Sequence, residues 1–346
     1  MNISIVTVYE PITNLGSFLQ CYALKLYLEE LGHRVVVVEN VSIWKSIKSK
    51  LFTLNPKRAL LLRWLKCYYT YKDIKRLEIV NKEKWIPSDS DCVIYGSDEI
   101  WNLHNPYFRD ELFWGIGVDI PKIGYAISCG HMTEDEFRGF PRCQEAVTEF
   151  RVVYTRDNRT KELLKSNINV FDGLVCDPTF LVPLSQLTKE IKLPDKRYLL
   201  VYTYGLSNEH ISYVKRFASE NNLLIVSPCF WHIWADRVIE CSALQFSSLI
   251  QGAEYVFTTT FHGAVFTMLN HKRCAIYAQR EKVKELVAGC GVQRLLIDDD
   301  TDYLAFSEII KSAFPTITFE SSLEKQRNQS KKLLNNTLNQ IKLWAE

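Results

Sequence analysis

Few of the features that announce a chemistry at sight are present in this chain. Its ten cysteines include no Cys-x-x-Cys pair and keep no regular spacing with the histidines, so neither a disulfide scaffold nor a zinc module is spelled out. They read as reduced, mostly buried thiols of an intracellular protein. No uncharged apolar run reaches the roughly 18 residues that a membrane-spanning helix needs. Met1 to Val8 lacks a basic leader and reads as a first strand rather than a signal peptide, so a soluble, cytoplasmic protein is expected. Charge of either sign is not in excess: 42 Lys and Arg stand against 40 Asp and Glu, a net +2, which gives no global field for nucleic acid. There is no GxGxxG, no repeat of solenoid period and no low-complexity tract. What remains is 346 residues with 47% hydrophobic and 12% aromatic content, enough for two cores, and two domains are the expectation.

Taken in order, Ile3 to Val8 is a continuous apolar strand, followed by a turn-forming loop, Tyr9 to Ser17. Phe18, Leu19, Tyr22, Ala23, Leu26 and Leu31 then repeat at helical spacing, and Gly32 closes the helix. A second strand is expected at Arg34 to Glu39. In this β-loop-α-β opening, Asn14, Gly16, Ser17 and Gln20 stand where a helix amino terminus would meet a ligand; an ordinary helix cap is the competing reading. Residues 44–84 differ in kind, with twelve Lys and Arg against three acids, interleaved with Trp44, Phe52, Trp64, Tyr68 and Tyr69. Such a segment can lie on an anionic membrane surface, or form surface helices with a solvated basic face, the reading favoured here.

Strands are next expected at 91–95, 122–127, 151–154 and 174–176. Each ends in small or charged polar residues: Gly96-Ser97-Asp98, Ser128-Cys129-Gly130, Thr155-Arg156-Asp157 and Asp177-Pro178-Thr179. Four such ends fit one lined site better than four unrelated caps, although Asp177 alone also reads as a turn-forming Asp-Pro. His33, after Gly32, reads as a surface residue. A polar linker with two prolines, Pro183 to Pro194, separates a second α/β series: strand 198–204, helix 207–220, strand 223–226, an aromatic loop at 228–236 and a helix at 246–252. Later elements are a strand at 274–277, helices near 283–289 and 303–313, and a long terminal helix over 323–344.

Within that second series, Ala253 to Phe257 reads as a buried strand, and Thr258-Thr259-Thr260-Phe261-His262-Gly263 follows it into an apolar helix. Three hydroxyls, an imidazole and a glycine thus stand at the carboxyl end of a strand beside a helix amino terminus. Open α/β sheets bind ligands there, helix amino termini favour anions, and a histidine titrates near neutral pH. The local alternative is a strand-to-helix turn with a structural histidine capped by Thr260. The whole pattern predicts an α/β protein of two Rossmann-like domains facing across a cleft, residues 1–185 and 195–320, with a C-terminal helix at 321–346.

Asn14-Leu15-Gly16-Ser17-Phe18-Leu19-Gln20, Gly96 to Asn102, Tyr125 to Gly130, Arg156-Asp157-Asn158, Asp177-Pro178-Thr179 and Phe261-His262-Gly263-Ala264-Val265-Phe266 occur in an order that resembles the polysaccharide pyruvyl transferases. The likeness runs from residue 3 to about residue 296. It implies a GT-B-like fold and transfer of a pyruvyl group from phosphoenolpyruvate to sugar hydroxyls as a ketal, on a glycan or lipid-linked acceptor, with no required cofactor or metal. The sequence departs from the family pattern at Thr260, where some members carry arginine, and at Lys282-Val283, where Arg-Ile is common; Arg294 persists. Lysine keeps the charge but not the bidentate fork.

The expected roles follow from that likeness. His262 is assigned proton transfer, with Asp98 or Asp177 as base. Arg156 from the first domain and Thr260, Phe261, Gly263, Arg280, Lys282 and Arg294 from the second are assigned to the donor. Asn14, Gly16, Ser17, Gln20, Ser97, Ser128 and Asp177 are assigned to the acceptor, in the first. A nucleotide-sugar glycosyltransferase of the same architecture and a non-catalytic glycan-binding relative are the rival readings. The basic segment would bring the enzyme to a lipid-linked acceptor at the inner membrane face.

Overall fold

A computed structural model describes residues 1–9, 14–39, 68–69, 71–80, 86–165 and 171–345. Of the basic stretch at 44–84, residues 44–67, 70 and 81–84 lie outside the described residues. The chain divides into two compact units. One holds the described residues up to Pro183 together with Lys325 onward; the other holds Leu184–Glu324, and Tyr68 and Tyr69 group with it.

The first unit is built on seven parallel strands: β1 (Asn2–Val6), β2 (Arg34–Val38), β3 (Ile79–Val80), β4 (Cys92–Tyr95), β5 (Lys122–Ile127), β6 (Val152–Thr155) and β7 (Phe171–Leu174). Their order is β3-β2-β1-β4-β5-β6-β7. Helices α1 (Leu15–Glu30), α2 (Glu134–Arg138), α3 (Pro141–Thr148) and α4 (Asn158–Lys165) connect them. The second unit has six parallel strands, β8 (Tyr198–Tyr202), β9 (Leu224–Pro228), β10 (Arg237–Ile239), β11 (Tyr255–Thr258), β12 (Cys274–Tyr277) and β13 (Leu296–Ile297), in the order β10-β9-β8-β11-β12-β13. Its helices are α5 (Asn208–Glu220), α6 (Ala243–Gly252), α7 (Phe261–Leu269), α8 (Glu281–Gly289) and α9 (Tyr303–Lys311); α10 (Thr316–Ala345) closes the chain.

The apolar runs explain the topology. Every residue of β4, β5, β8, β11 and β12 is buried, as expected where both faces of a parallel sheet are covered. In the first unit Val93, Tyr95 and Ile127 share a core with Trp101, Trp114 and Phe137. Trp101 and Trp114 stack at 5.3 Å, and each indole donates to a backbone carbonyl, of Phe113 and Phe108 respectively, so the large rings are buried without stranding their N–H groups. In the second unit Leu199, Val201, Phe217, Phe257 and Phe306 form the corresponding core.

Several elements differ from expectation: β3, α2, α3 and β13 were not among those expected, and three others are displaced or added. The strand read at 174–176 lies at Phe171–Leu174, so Val175 to Asp177 form its exit. The aromatic loop is followed by β10, whose three residues are too short to show a period. The terminal helix starts at Thr316 rather than near 323; its first turns carry only Phe319 and Leu323 as buried apolar residues, too few to register as a stripe in the sequence. Its later part docks in the first unit through Arg327 Nε to the Phe180 carbonyl, the Cys176 N–H to Ser330 Oγ, and Tyr154 Oη with Thr337 Oγ1.

Each strand order reverses once: between β1 and β4 in the first unit, between β8 and β11 in the second. The crevice beyond the carboxyl ends of such a pair is where open α/β sheets bind ligands. The two stretches that stood out in the sequence sit at these two places.

Candidate functional site

At the first reversal, β4 runs straight into Gly96-Ser97-Asp98. Gly96 has φ +110, and a Cβ there would overlap the Tyr125 carbonyl oxygen, so only glycine lets the chain pass that close to β5. The Gly96–Ser97 peptide is cis and Asp98 has φ +79. A glutamine from α1 holds this turn against β1. Gln20 Nε2 donates to Thr7 Oγ1 and to the Val8 and Ser17 carbonyls, while Gln20 Oε1 accepts from the Ser97 N–H at 3.1 Å and Ser97 Oγ at 2.8 Å. Thr7 Oγ1 closes the ring by donating to the Ser97 carbonyl at 2.7 Å.

The polar exits of β4, β6 and β7 then meet on one guanidinium. Arg156 Nη2 lies 2.9 Å from Asp98 Oδ1 and Arg156 Nη1 lies 3.1 Å from Asp177 Oδ2. The arginine side chain is 3% exposed, Asp177 1% and Asp98 12%. Burial pulls Arg156 downward, but Asp98 and Asp177, helped by Glu99 and Asp157, outweigh it and hold the guanidinium above its ordinary value. Asp177 also caps its own turn, accepting from the N–H and Oγ1 of Thr179. Two carboxylates share one cation, which leaves the trio with a net negative charge.

This geometry gives several of the residues expected at the site partners within the chain. Arg156, expected at an anionic donor, is paired with two carboxylates of its own unit. Gln20, Ser97 and Ser17, expected at the acceptor, are fully buried; Gln20 and Ser97 bond to each other in the turn that presents Asp98, while Ser17 Oγ donates to the Asn14 carbonyl. Asn14 caps α1 by accepting from the Ser17 N–H, Gly16 is buried in the first turn of that helix, and Ser128 Oγ accepts from the Gly130 N–H. Asp98 is the most exposed member of the charged trio.

The second reversal is threaded by hydroxyls. Thr258 Oγ1 donates to the Tyr202 carbonyl at 2.8 Å, and Thr203 Oγ1 and Thr259 Oγ1, from the exits of β8 and β11, are 2.8 Å apart. Thr260 is the N-cap of α7, its Oγ1 accepting from the Gly263 N–H at 3.0 Å. His262 therefore occupies the first turn of α7, at the positive end of the helix dipole. Gly263 is required by the docking: an added Cβ would overlap Thr258 Oγ1 and lie 2.5 Å from Thr260 Oγ1 and 3.0 Å from Tyr202 Cδ1. Phe261 packs edge-on to His262 at 5.2 Å, and Lys282 Nζ stands 5.7 Å from the centre of the Phe261 ring. Lys282 and Arg280 follow β12, so they share the carboxyl edge with His262.

Arg294 does not. It precedes β13, and in a parallel sheet the residue before a strand lies at the amino edge, opposite His262. Its Nη2 donates to the Ala313 carbonyl at 2.7 Å. Sequence reading also passed over Thr203, Tyr204 and Gly205 at the exit of β8, and His232, whose Nε2 lies 3.1 Å from the Thr203 carbonyl. The strand expected over 198–204 stops at Tyr202, which makes Thr203 and Tyr204 its exit. Among the described residues no group of three or more histidine, cysteine or carboxylate side chains could hold a metal ion, and no helix is long and apolar enough to cross a membrane.

Comparison with known proteins completes the picture. None of the curated proteins matches the chain in sequence. Among solved structures, it superposes on the UDP-GlcNAc 2-epimerase of Neisseria meningitidis with a TM-score of 0.54 at 12% identity, over 98% of this chain and 100% of that one. The UDP-GlcNAc 2-epimerase of Methanocaldococcus jannaschii gives 0.54 at 11% identity, over 97% and 100%. The spinosyn rhamnosyltransferase SpnG gives 0.50 at 12%, over 98% and 100%. At that identity the likeness is one of fold, and the fold is GT-B, as the two Rossmann-like halves predicted. The family model for polysaccharide pyruvyl transferases matches residues 14–280, a span that begins after β1 and stops just short of Lys282. With the hydroxyl-lined turn around His262 and the Asp98 turn both inside that span, the chain belongs to the polysaccharide pyruvyl transferase family.

Proposed function

We propose that this chain is a transferase that moves the pyruvyl group of phosphoenolpyruvate onto a pair of hydroxyls of a sugar, forming a cyclic ketal on a cell-surface polysaccharide or its lipid-linked precursor. The observation that carries the reading is the position of His262, a buried imidazole in the first turn of α7, at the strand-order reversal of its sheet and beside the Phe261–Lys282 pair. A small trianionic ester suits a helix amino terminus flanked by cations, and Lys282 and Arg280 supply them on the same edge.

His262 delivers a proton to the methylene carbon of the enol ester, and the adjacent carbon becomes an oxocarbenium-like centre. A sugar hydroxyl adds there and gives up its proton to a base. The bond from that carbon to the phosphate oxygen then breaks, and a second hydroxyl closes the ketal. Of the two hydroxyl protons, one ends on the new methyl group and the other on phosphate, so no redox partner enters. Asp98 is the base proposed for the incoming hydroxyl, since the trio it shares with Arg156 and Asp177 is net negative and repels an anionic donor. The donor belongs to the second unit and the acceptor to the first. Action at the cytoplasmic face of the membrane, reached through the basic stretch 44–84, is part of the same proposal, as is independence from metal and cofactor.

The test follows phosphate released from phosphoenolpyruvate in the presence of the producing cell's undecorated glycan. His262→Gln, shown to be folded, should lose about 10²–10⁴-fold of that rate, the usual worth of a positioned acid or base. Full activity in the variant removes the imidazole from the mechanism. Release of a nucleoside diphosphate from a nucleotide sugar, with no phosphate from phosphoenolpyruvate, would instead make the chain a glycosyltransferase.

A further inference from the structure

Away from the hydroxyl-lined turn, the second unit holds a pair of thiols. Cys229 follows β9 directly and Cys241 follows β10 by one residue. The two strands are parallel neighbours whose register ends at Pro228 with Ile239, and the Cys229 N–H donates to the Ile239 carbonyl at 3.0 Å. Cys229 then has φ +61, in the left-handed region that side-chain-bearing residues rarely adopt. That turn brings its sulfur to 3.5 Å from the sulfur of Cys241. Among the described cysteines Cys229 alone is partly exposed; the other eight are buried. Burial pushes Cys92 and Cys274 up to about 12, which keeps those thiols protonated and inert. Among the described cysteines, an oxidant arriving from solvent therefore meets Cys229 first, with a second thiol already beside it.

We propose that Cys229 and Cys241 are a site of reversible covalent modification, forming an intramolecular disulfide when the protein meets a peroxide. The Cys229 thiolate attacks one peroxide oxygen, the O–O bond breaks, and hydroxide leaves as water after taking a proton; Cys229 is now a sulfenic acid. The Cys241 sulfur attacks the Cys229 sulfur, the S–S bond forms, the S–O bond breaks, and the oxygen leaves as a second water with the proton of Cys241. Two thiols and one hydrogen peroxide thus give one disulfide and two waters. A resolving thiol this close diverts the sulfenic acid before it reaches the irreversible sulfinic state.

The bond would close residues 229–241, which hold β10 and the loop that carries Phe230, Trp231, His232 and Trp234. His232 meets the Thr203 carbonyl at the exit of β8 and stacks on Trp234 at 4.7 Å, so the clasp acts on the loop that borders the second strand-order reversal. The proposal stands apart from the pyruvyl-transfer reading and survives its failure.

Its test uses the intact native chain and hydrogen peroxide. Trypsin cuts at Arg237, between the two cysteines, so the disulfide appears in a non-reducing digest as peptide 217–237 joined to peptide 238–272. The expected result is that joined species, lighter than its parts by two hydrogens, with loss of iodoacetamide labelling at Cys229, slower amide exchange over 230–240, and full reversal by dithiothreitol. In Cys241→Ser the sulfenic acid should persist on Cys229 and be captured by dimedone; in Cys229→Ser neither product should form. Separate peptides after peroxide, whether Cys229 stays alkylatable or has passed to the sulfinic acid, overturn the proposal. So does a link seen only after urea is added.

Discussion

Gly263→Ala offers the sharpest check on how α7 is seated. The new methyl would overlap Thr258 Oγ1 and press on Thr260 Oγ1 and Tyr202 Cδ1. None of these is the loose end of a flexible chain: both threonines are β-branched and hydrogen-bonded, Thr258 to the Tyr202 carbonyl and Thr260 to the Gly263 N–H. The helix must back away, and overpacking of this kind costs about 1–3 kcal/mol. Loss of the Thr260 cap adds about 1 kcal/mol, while alanine's better helix propensity returns about 1 kcal/mol. Net destabilisation of about 1–3 kcal/mol is expected, read as a fall in the urea midpoint followed by fluorescence and circular dichroism. A displacement of roughly 1 Å at His262 should also lower turnover about 10²-fold. Thr258→Ala removes the atom that the methyl meets first, so Thr258→Ala with Gly263→Ala should cost about 1 kcal/mol less than the sum of the two single changes. A Gly263→Ala protein as stable as the parent, with no coupling to position 258, would refute the docking of α7 on β8 and β11.

Other consequences are as direct. Arg156→Met leaves Asp98 and Asp177 buried without their shared cation and should cost about 3–5 kcal/mol in urea unfolding; adding Asp98→Asn and Asp177→Asn should recover most of it. Lys282→Ala should raise the half-saturating phosphoenolpyruvate concentration about 10–100-fold, the usual worth of a charge-assisted contact, with Lys282→Arg close to the parent. His232 lies below its ordinary value of 6.5 because burial disfavours the imidazolium, against a smaller pull upward from the Thr203 carbonyl. The unfolded chain therefore binds the proton more readily, and the stability contributed by the neutral ring is full above about pH 6.5 and declines as the pH falls through it. His232→Gln should flatten that acid limb, measured as melting temperature against pH.

Much of the fold was legible because parallel strands covered on both faces must be apolar throughout. Val93-Ile94-Tyr95, Leu199-Leu200-Val201 and Val256-Phe257 are visible as runs, and the polar residues ending them mark the carboxyl edge. Short or diluted elements were not legible, since β10 has three residues and the first turns of α10 lack a stripe. The family, too, could be recognised in the sequence, because Phe261-His262-Gly263 and Gly96-Ser97-Asp98 are local motifs whose spacing folding does not alter.

The sequence by itself settled that two α/β halves exist and that hydroxyls, an imidazole and aspartates gather at strand exits. Tertiary structure alone decided which of those groups are spent on one another. Asp98 and Arg156 are 58 residues apart and Arg156 and Asp177 are 21 apart, so nothing local reveals that they form one buried trio. Arg294 looks equivalent to Lys282 in the sequence, yet one lies before a parallel strand and the other after one, on opposite edges of the same sheet. Cys229 and Cys241 come within 3.5 Å only because a left-handed residue turns one sulfur toward the other. Propensity and pattern act along the chain, whereas the pairing of charge, hydroxyl and thiol depends on distances through space.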